Sequence, residues 1–236
     1  MPYVFNPEQQ PRLFIHGSEL LFPVHRVYCV GQNYAAHARE MGSDPQREPP
    51  FFFTKPADAV RGAEDENPVL IDYPGRTQKL HHEIELVAAV GKGGSDIQTD
   101  QALDHVFGFA VGVDLTRRDL QEQAKASRRP WDTAKGFDAS APVSCLHPLA
   151  ELGDPQAWLA SRRIWLDVNG QRRQDGNLDE MIWSVAEVIA ELSTYFRLLP
   201  GDLVFTGTPS GVGELQRGDL LEGGVDDLDT LRVRLH

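Results

Sequence analysis

Apolar residues along this chain fall in short runs punctuated by turn residues, and each run predicts an element. Arg12-Leu-Phe-Ile and Glu19-Leu-Leu-Phe-Pro-Val, on either side of a His-Gly-Ser turn, read as a small hairpin or arm within residues 1–25. Arg26 to Gly31, the run beginning Phe51-Phe-Phe, Phe107 to Asp114 and Leu203 to Thr206 read as buried strands. Ile164 to Gln174 reads as a β-hairpin folded on Asn169-Gly170, and residues 218–235 as a final pair of strands. Helical patterns cover Asn33 (as N-cap) to Gly42 (as stop), Asp100 to Val106, and Leu115 to Lys125. The clearest runs from Asn177 to Phe196, where Val185, Val188, Ile189, Leu192 and Phe196 repeat at helical spacing. The proline-rich segment 43–50 reads as an exposed loop, able with the helix before it to act as a lid.

The stretch Leu80 to Gly91 begins polar and ends as an apolar strand. Side chains alternate faces in a strand, so Glu83 and Glu85 share a face, with Cα atoms roughly 6–7 Å apart. Two carboxylates at that spacing can converge on one cation; taken alone, they are equally a solvated strand end. Asp114 closes a second strand, where a metal ligand or a helix N-cap fits equally. His37 and Glu40, three apart on a helix, lie on one face. A carboxylate orients an imidazole and raises its basicity, as a water-activating base requires, though a surface pair has the same spacing. Lys135 lies among aromatic residues and needs a carboxylate partner if buried. Lys55, before Pro56, reads as a solvated strand terminus within reach of a site. The Thr206–Gly213 loop can offer N–H groups and hydroxyls to an anion.

Composition narrows the classes. The 236 residues carry a net charge of -12, which argues against nucleic acid and anionic membranes as partners. A local pocket of cations still admits an anionic substrate. Cys29 and Cys145 belong to no CxxC pair and lie in apolar contexts, as buried thiols of a reducing cytosol do. No signal-peptide pattern or membrane-length apolar run is present, so a cytoplasmic location is expected. The Gly/Thr loop lacks a P-loop lysine, and no G-x-S-x-G elbow occurs. His81 and His82 are adjacent in a strand and diverge, which excludes a shared zinc.

The motifs gain specificity as an ordered set. Gly31-x-Asn33-Tyr34-x-x-His37-x-x-Glu40 is followed by Phe53-x-Lys55-Pro56, His82-Glu83-x-Glu85, and Gly112-x-Asp114-x-Thr116-x-Arg118-Asp119. Lys135-Gly136-Phe137 and Thr206-Gly207-Thr208-Pro209-x-Gly211-Val212-Gly213 complete it. The set resembles the fumarylacetoacetate hydrolase family over roughly residues 24–235, nearest to bacterial fumarylpyruvate hydrolases and acylpyruvases. The resemblance implies a mixed α+β, β-rich roll or distorted barrel with outer helices, over residues 26–236 behind the 1–25 arm, and a homodimer. It implies Mg²⁺ (or Mn²⁺) on Glu83, Glu85 and Asp114, a catalytic His37–Glu40 dyad on a lid, and a catalytic Lys135. Tyr34, Arg118, Gln121 and Thr208 match positions near the substrate. Gln32 stands where many relatives carry Arg or Ser able to touch a substrate carboxylate.

The activity so implied is hydrolytic C–C cleavage of a small-molecule 2,4-dioxo acid, fumarylpyruvate to fumarate and pyruvate, as in gentisate breakdown. Oxaloacetate decarboxylation or tautomerisation, or isomerisation of a hydroxymuconate-type diacid, would use the same site. A non-catalytic metal- or ligand-binding module is the alternative of another class. It is disfavoured because the full residue set is present.

Overall fold

The runs read as strands assemble into one curled main sheet in the computed structural model, which describes residues 3–6, 8–41 and 48–236. From edge to edge the order is Phe52–Lys55, Val27–Val30, Leu203–Phe205, Ile84–Val90, Val106–Val113, Ala141–Val143 and Val60–Gly62. His147–Pro148 pairs onto Val106–Val113 as an eighth strand. Leu203–Phe205 runs parallel to Val27–Val30, and Ala141–Val143 parallel to Val60–Gly62; the other pairs are antiparallel. A five-stranded sheet (Gln171–Asn177, Arg163–Val168, Leu220–Val225, Leu231–Leu235, Val69–Ile71) packs against it. The architecture is mixed α+β and strand-rich, as expected.

Both faces of the main sheet are covered, which explains the unbroken apolar run from Leu86 to Val90 in the strand Ile84–Val90. Ile84, Leu86, Ala88 and Val90 enter one core with Phe109, Val111, the five-stranded sheet and the helix Val185–Tyr195. Val87 and Ala89 enter a second core with Ala110, Leu203, Phe205, Val27 and Cys29. The strands Arg12–Phe14 and Leu21–Pro23 form the expected hairpin, and its Leu13, Ile15 and Phe22 close this second core. The Asn169-Gly170 hairpin forms, with both residues at positive φ (51° and 75°) as its tight turn requires.

Several element boundaries differ from the sequence reading. Thr116–Arg117 is a strand paired with Leu80 and His81, and the helix starts only at Arg118 (Arg118–Ala126). The long helix is Val185–Tyr195, started by a Ser184–Glu187 capping box. Residues 178–180 form a separate 3₁₀ turn with its own Asn177–Glu180 box, so two start signals divide the segment. Phe196 lies beyond that helix and is 39% exposed. The segment Thr99–His105 is 3₁₀ rather than α. Asn33 does not cap the helix Ala35–Glu40. Its amide donates to Trp183 O and Thr206 O and accepts from Trp183 N, long-range bonds that outcompete a local cap. Cys145 is half-buried rather than buried. Gly42 and residues 43–47 of the lid segment lie outside the described residues. Among the described residues, no helix is long and apolar enough to cross a membrane.

Candidate active site

Alternation along two neighbouring strands builds the centre of the site. Glu83 and Glu85 have the parity of Val87 and Ala89, so they sit on the face of the second core, at its open end. On the adjacent strand Gly112 lies opposite Glu85, and Asp114 N donates to Glu83 O at 2.8 Å. Asp114 shares the parity of Ala110 and Gly112, so the three carboxylates converge. All are buried, with ligand oxygens within 4.8 Å of one another. Gly112 is needed there: a Cβ would lie 2.6 Å from Val87 Cγ2 and 2.7 Å from the Phe205 ring.

Three buried cations neutralise the carboxylates. Lys135 Nζ donates to Glu83 Oε2 (2.8 Å) and Asp114 Oδ2 (2.6 Å). Arg118 donates to Glu83 Oε1 and to Gln121 Oε1 (2.5 Å). Lys55 is no solvated terminus: it is 2% exposed, pairs with Asp114 Oδ1 at 2.7 Å, and donates to Leu115 O (3.3 Å) and to Lys135 O. Burial pushes the Glu83 carboxyl up, but Lys135 and Arg118 outweigh it and hold it well below the ordinary range. Burial pulls the Lys135 ammonium down, yet Asp114 and Glu83 prevail and raise it, so it stays charged. Glu85 has no such partner. Burial, then Asp114 and Glu83, push it far above the usual carboxylate value, and the Gly207 N–H (2.6 Å to Oε2) only partly compensates.

A narrow cleft opens over these groups, with a cavity of about 30 Å³. Gln32, His37, Arg118, Gln121, Lys135 and Thr208 all line it, beside Glu83 and Glu85. His37 is buried on the helix Ala35–Glu40, and its Nδ1 faces Glu40 Oε2 at 3.3 Å. Burial pulls the imidazole below its ordinary pKa, opposed by Glu83 and Glu40, so it is neutral at pH 7. Tyr34 does not line the cleft; its hydroxyl is buried without a hydrogen-bond partner among the described residues, and burial followed by the Glu85 charge raises its pKa.

The Gly/Thr loop spends its N–H groups on protein carboxylates. Gly207 N, at φ 98°, holds Glu85, and Gly211 N holds Glu40 Oε2 at 3.2 Å and Oε1 at 3.3 Å. The loop is fastened by Gln174, which the sequence reading saw only as part of a hairpin. Fully buried, Gln174 donates to Thr208 Oγ1 (2.7 Å) and Pro209 O (2.8 Å) and accepts from Ile84 N (3.1 Å). The pairing of Leu166 with Gln174 across the Asn-Gly hairpin was the available signal, since it turns this amide inward.

A hard divalent cation fits the triad. The donors are all oxygen. The Lys55–Asp114 ion pair lacks hydrogen-bond geometry, so Asp114 Oδ1 is a buried oxygen with no hydrogen bond among the described residues. Glu85 is a buried carboxylate short of positive charge. His16, His147 and Asp229 form a second cluster, but the two imidazoles stack at 4.2 Å with a 20° interplanar angle. His16 Nδ1 and His147 Nε2 both lie 3.2 Å from Asp229 Oδ2, and His147 Nε2 also accepts from the Asp229 N–H (3.2 Å). His81 and His82 part as expected, toward Arg118 Nε (3.4 Å) and Gln174 (2.8 Å).

Known proteins are similar to this chain in sequence and in fold. A family profile described as "Fumarylacetoacetate (FAA) hydrolase C-terminal" matches residues 26–236. A crystal structure of fumarylpyruvate hydrolase from Pseudomonas aeruginosa, in complex with Mn²⁺ and pyruvate, is 53% identical with a TM-score of 0.95, covering 99% of each chain. A fumarylpyruvate hydrolase of Ralstonia sp is 42% identical over 185 residues, 78% of this chain and 92% of that protein. The mitochondrial oxaloacetate tautomerase FAHD1 of Mus musculus is 41% identical over 209 residues, 89% of this chain and 90% of that protein. With the profile spanning all but the first 25 residues and the carboxylate triad in place, this chain belongs to the fumarylacetoacetate hydrolase family.

Proposed function

We propose that this chain is a divalent-metal-dependent hydrolase that cleaves the C3–C4 bond of 2,4-dioxo acids, with fumarylpyruvate as the favoured substrate. The observation that carries the reading is His37: a neutral imidazole in the cleft wall, backed by Glu40, beside the buried triad. Glu83, Glu85 and Asp114 would hold Mg²⁺ or Mn²⁺, which when bound polarises the oxygens of the α-keto acid end. The 53% identity to a fumarylpyruvate hydrolase supports the choice of acyl group.

The chain's own groups supply the remaining chemistry. With Nδ1 turned to Glu40, Nε2 of His37 is the free base, and it takes a proton from water as the oxygen attacks C4. The tetrahedral oxyanion is stabilised by a cation, and Lys135, charged and held by two carboxylates, fills that role. As the C3–C4 bond breaks, its electron pair passes into the enolate of pyruvate. The proton on His37 then returns to C3, giving fumarate and pyruvate. Arg118 and Gln121, joined at 2.5 Å on one helix face, present donors to the substrate.

A second reading, tautomerisation or decarboxylation of oxaloacetate, is favoured by the likeness to the mouse tautomerase. It needs no water. Steady-state rates with fumarylpyruvate, acetylpyruvate and oxaloacetate, in Mg²⁺ and in EDTA, for wild type and His37→Ala, separate the two. Fumarylpyruvate should be the best substrate, and His37→Ala should lower its cleavage about 10²- to 10⁴-fold. Preferred turnover of oxaloacetate that survives His37→Ala would overturn the hydrolytic assignment.

A further inference from the structure

We propose that Lys125 recognises a second carboxylate at the far end of the substrate and so selects diacids over monoacids; the proposal rests on the hydrolase reading above. Arg118, Gln121 and Lys125 recur at i, i+3 and i+7 on the helix Arg118–Ala126, and all three line the cleft. Arg118 reaches the carboxylate triad, and Lys125 lies about 10 Å further along the helix axis. An extended seven-carbon diacid spans that interval with one acid group at each end.

Lys125 is placed as an anion receptor and not as a structural ion pair. It is half-buried and has no carboxylate partner among the described residues. Its ammonium stands 5.2 Å from the centre of the Trp131 ring, which orders a side chain that would otherwise roam. Burial, followed by Arg118, pulls its pKa down; Glu83 and Glu122 oppose this without contact. A cation held near other cations, with no counter-ion of its own, is a place where an incoming anion gains. The remaining wall is aromatic and apolar: Phe51 packs edge-on and Phe53 tilted against Trp131, at 5.6 and 5.7 Å between ring centres, a surface suited to an unsaturated linker.

Charge balance points the same way. Glu83, Glu85 and Asp114, when ionised, are matched by Lys55, Lys135 and Arg118. A bound divalent ion adds two positive charges and Lys125 one more. A monoanionic dioxo acid leaves this excess largely uncompensated, whereas a dianion neutralises most of it.

The test compares wild type, Lys125→Met and Lys125→Arg on fumarylpyruvate and acetylpyruvate, which share the dioxo acid head but differ in the distal carboxylate. Fumarate binding is followed by calorimetry in Mg²⁺ and in EDTA. Lys125→Met should lower the fumarylpyruvate-to-acetylpyruvate ratio of kcat/KM about 10- to 100-fold, chiefly through KM, the loss of one charge-assisted hydrogen bond. Lys125→Arg should recover most of it, and fumarate binding should weaken in parallel. An unchanged ratio in Lys125→Met overturns the proposal. If wild type cleaves neither dioxo acid, the hydrolase reading falls by itself, and fumarate binding decides Lys125. Equal affinity in wild type and Lys125→Met, or no binding to wild type, then refutes it.

Discussion

Glu85→Gln should separate holding the metal from holding the fold. Glu83 and Asp114 are each locked to buried cations, so Asp114→Ala strands Lys55, leaves Lys135 with Glu83 alone, and should cost about 3–5 kcal/mol. Glu85 differs, because its one hydrogen bond among the described residues comes from Gly207 N, which an amide oxygen also accepts. Glu85→Gln also removes a buried charge repelled by two neighbours. In EDTA the variant should therefore be as stable as wild type or slightly more so. The sign with pH follows from linkage. A carboxyl raised on folding contributes its stability below the unfolded value and loses it as pH rises through the folded value. Metal-free wild type should thus lose stability from mild acid upward, and Glu85→Gln should lack that loss. Mg²⁺ at a hundred times its Kd adds about 2.7 kcal/mol to wild type. At roughly 2–4 °C per kcal/mol for a chain of this size, that is a rise of about 5–10 °C in Tm, and Glu85→Gln should show almost none of it. Thermal melts with Mg²⁺ and with EDTA measure both quantities. The reasoning fails if Glu85→Gln destabilises the EDTA form as much as Asp114→Ala, or keeps the full Mg²⁺ shift.

Two more outcomes follow from the geometry. His37 is pulled below the ordinary imidazole pKa by burial, so the acid limb of kcat/KM should lie below about 6.5. Glu40→Gln removes an influence that raises it, so the limb should move lower still while kcat falls, and a pH–rate profile in which it moves upward refutes the pairing. Gly112→Ala places a methyl 2.6 Å from Val87 Cγ2, and should cost about 1–3 kcal/mol by denaturant unfolding. Because Gly112 faces Glu85 across the strand pair, Mg²⁺ affinity measured by calorimetry should fall as well.

The strands and the shared face of two carboxylates were legible because they follow from a two-residue period, whereas the grouping of three carboxylates as a candidate ion site came from the resemblance. Parity alone puts Glu83 and Glu85 on one face, and Asp114 ends the neighbouring strand. What escaped the sequence depends on pairings distant along the chain. Lys55 looked solvated beside Pro56, yet its partner Asp114 lies 59 positions later. Asn33 carried a cap signal, but Thr206 and Trp183 claim its amide. Lys125 carried no motif, and only the helix face shared with Arg118 brings it into the cleft. The 177–196 segment misled because its apolar spacing is silent about where a helix starts, which the Ser184 box decides.

The loop from Gly207 to Gly211 has a consequence for how such sites diverge. Its first N–H tethers Glu85 of the proposed ion site, and its last tethers Glu40, which backs the proposed base His37. The two functions thus hang from one short piece of backbone, itself pinned by Gln174. A substitution there cannot tune water activation without also tuning ion affinity, so this loop is a poor place for selection to separate one reaction from another. The freedom to acquire new substrates lies across the cleft, on the wall from Gln121 to Trp131, where a side chain can change without loosening either carboxylate.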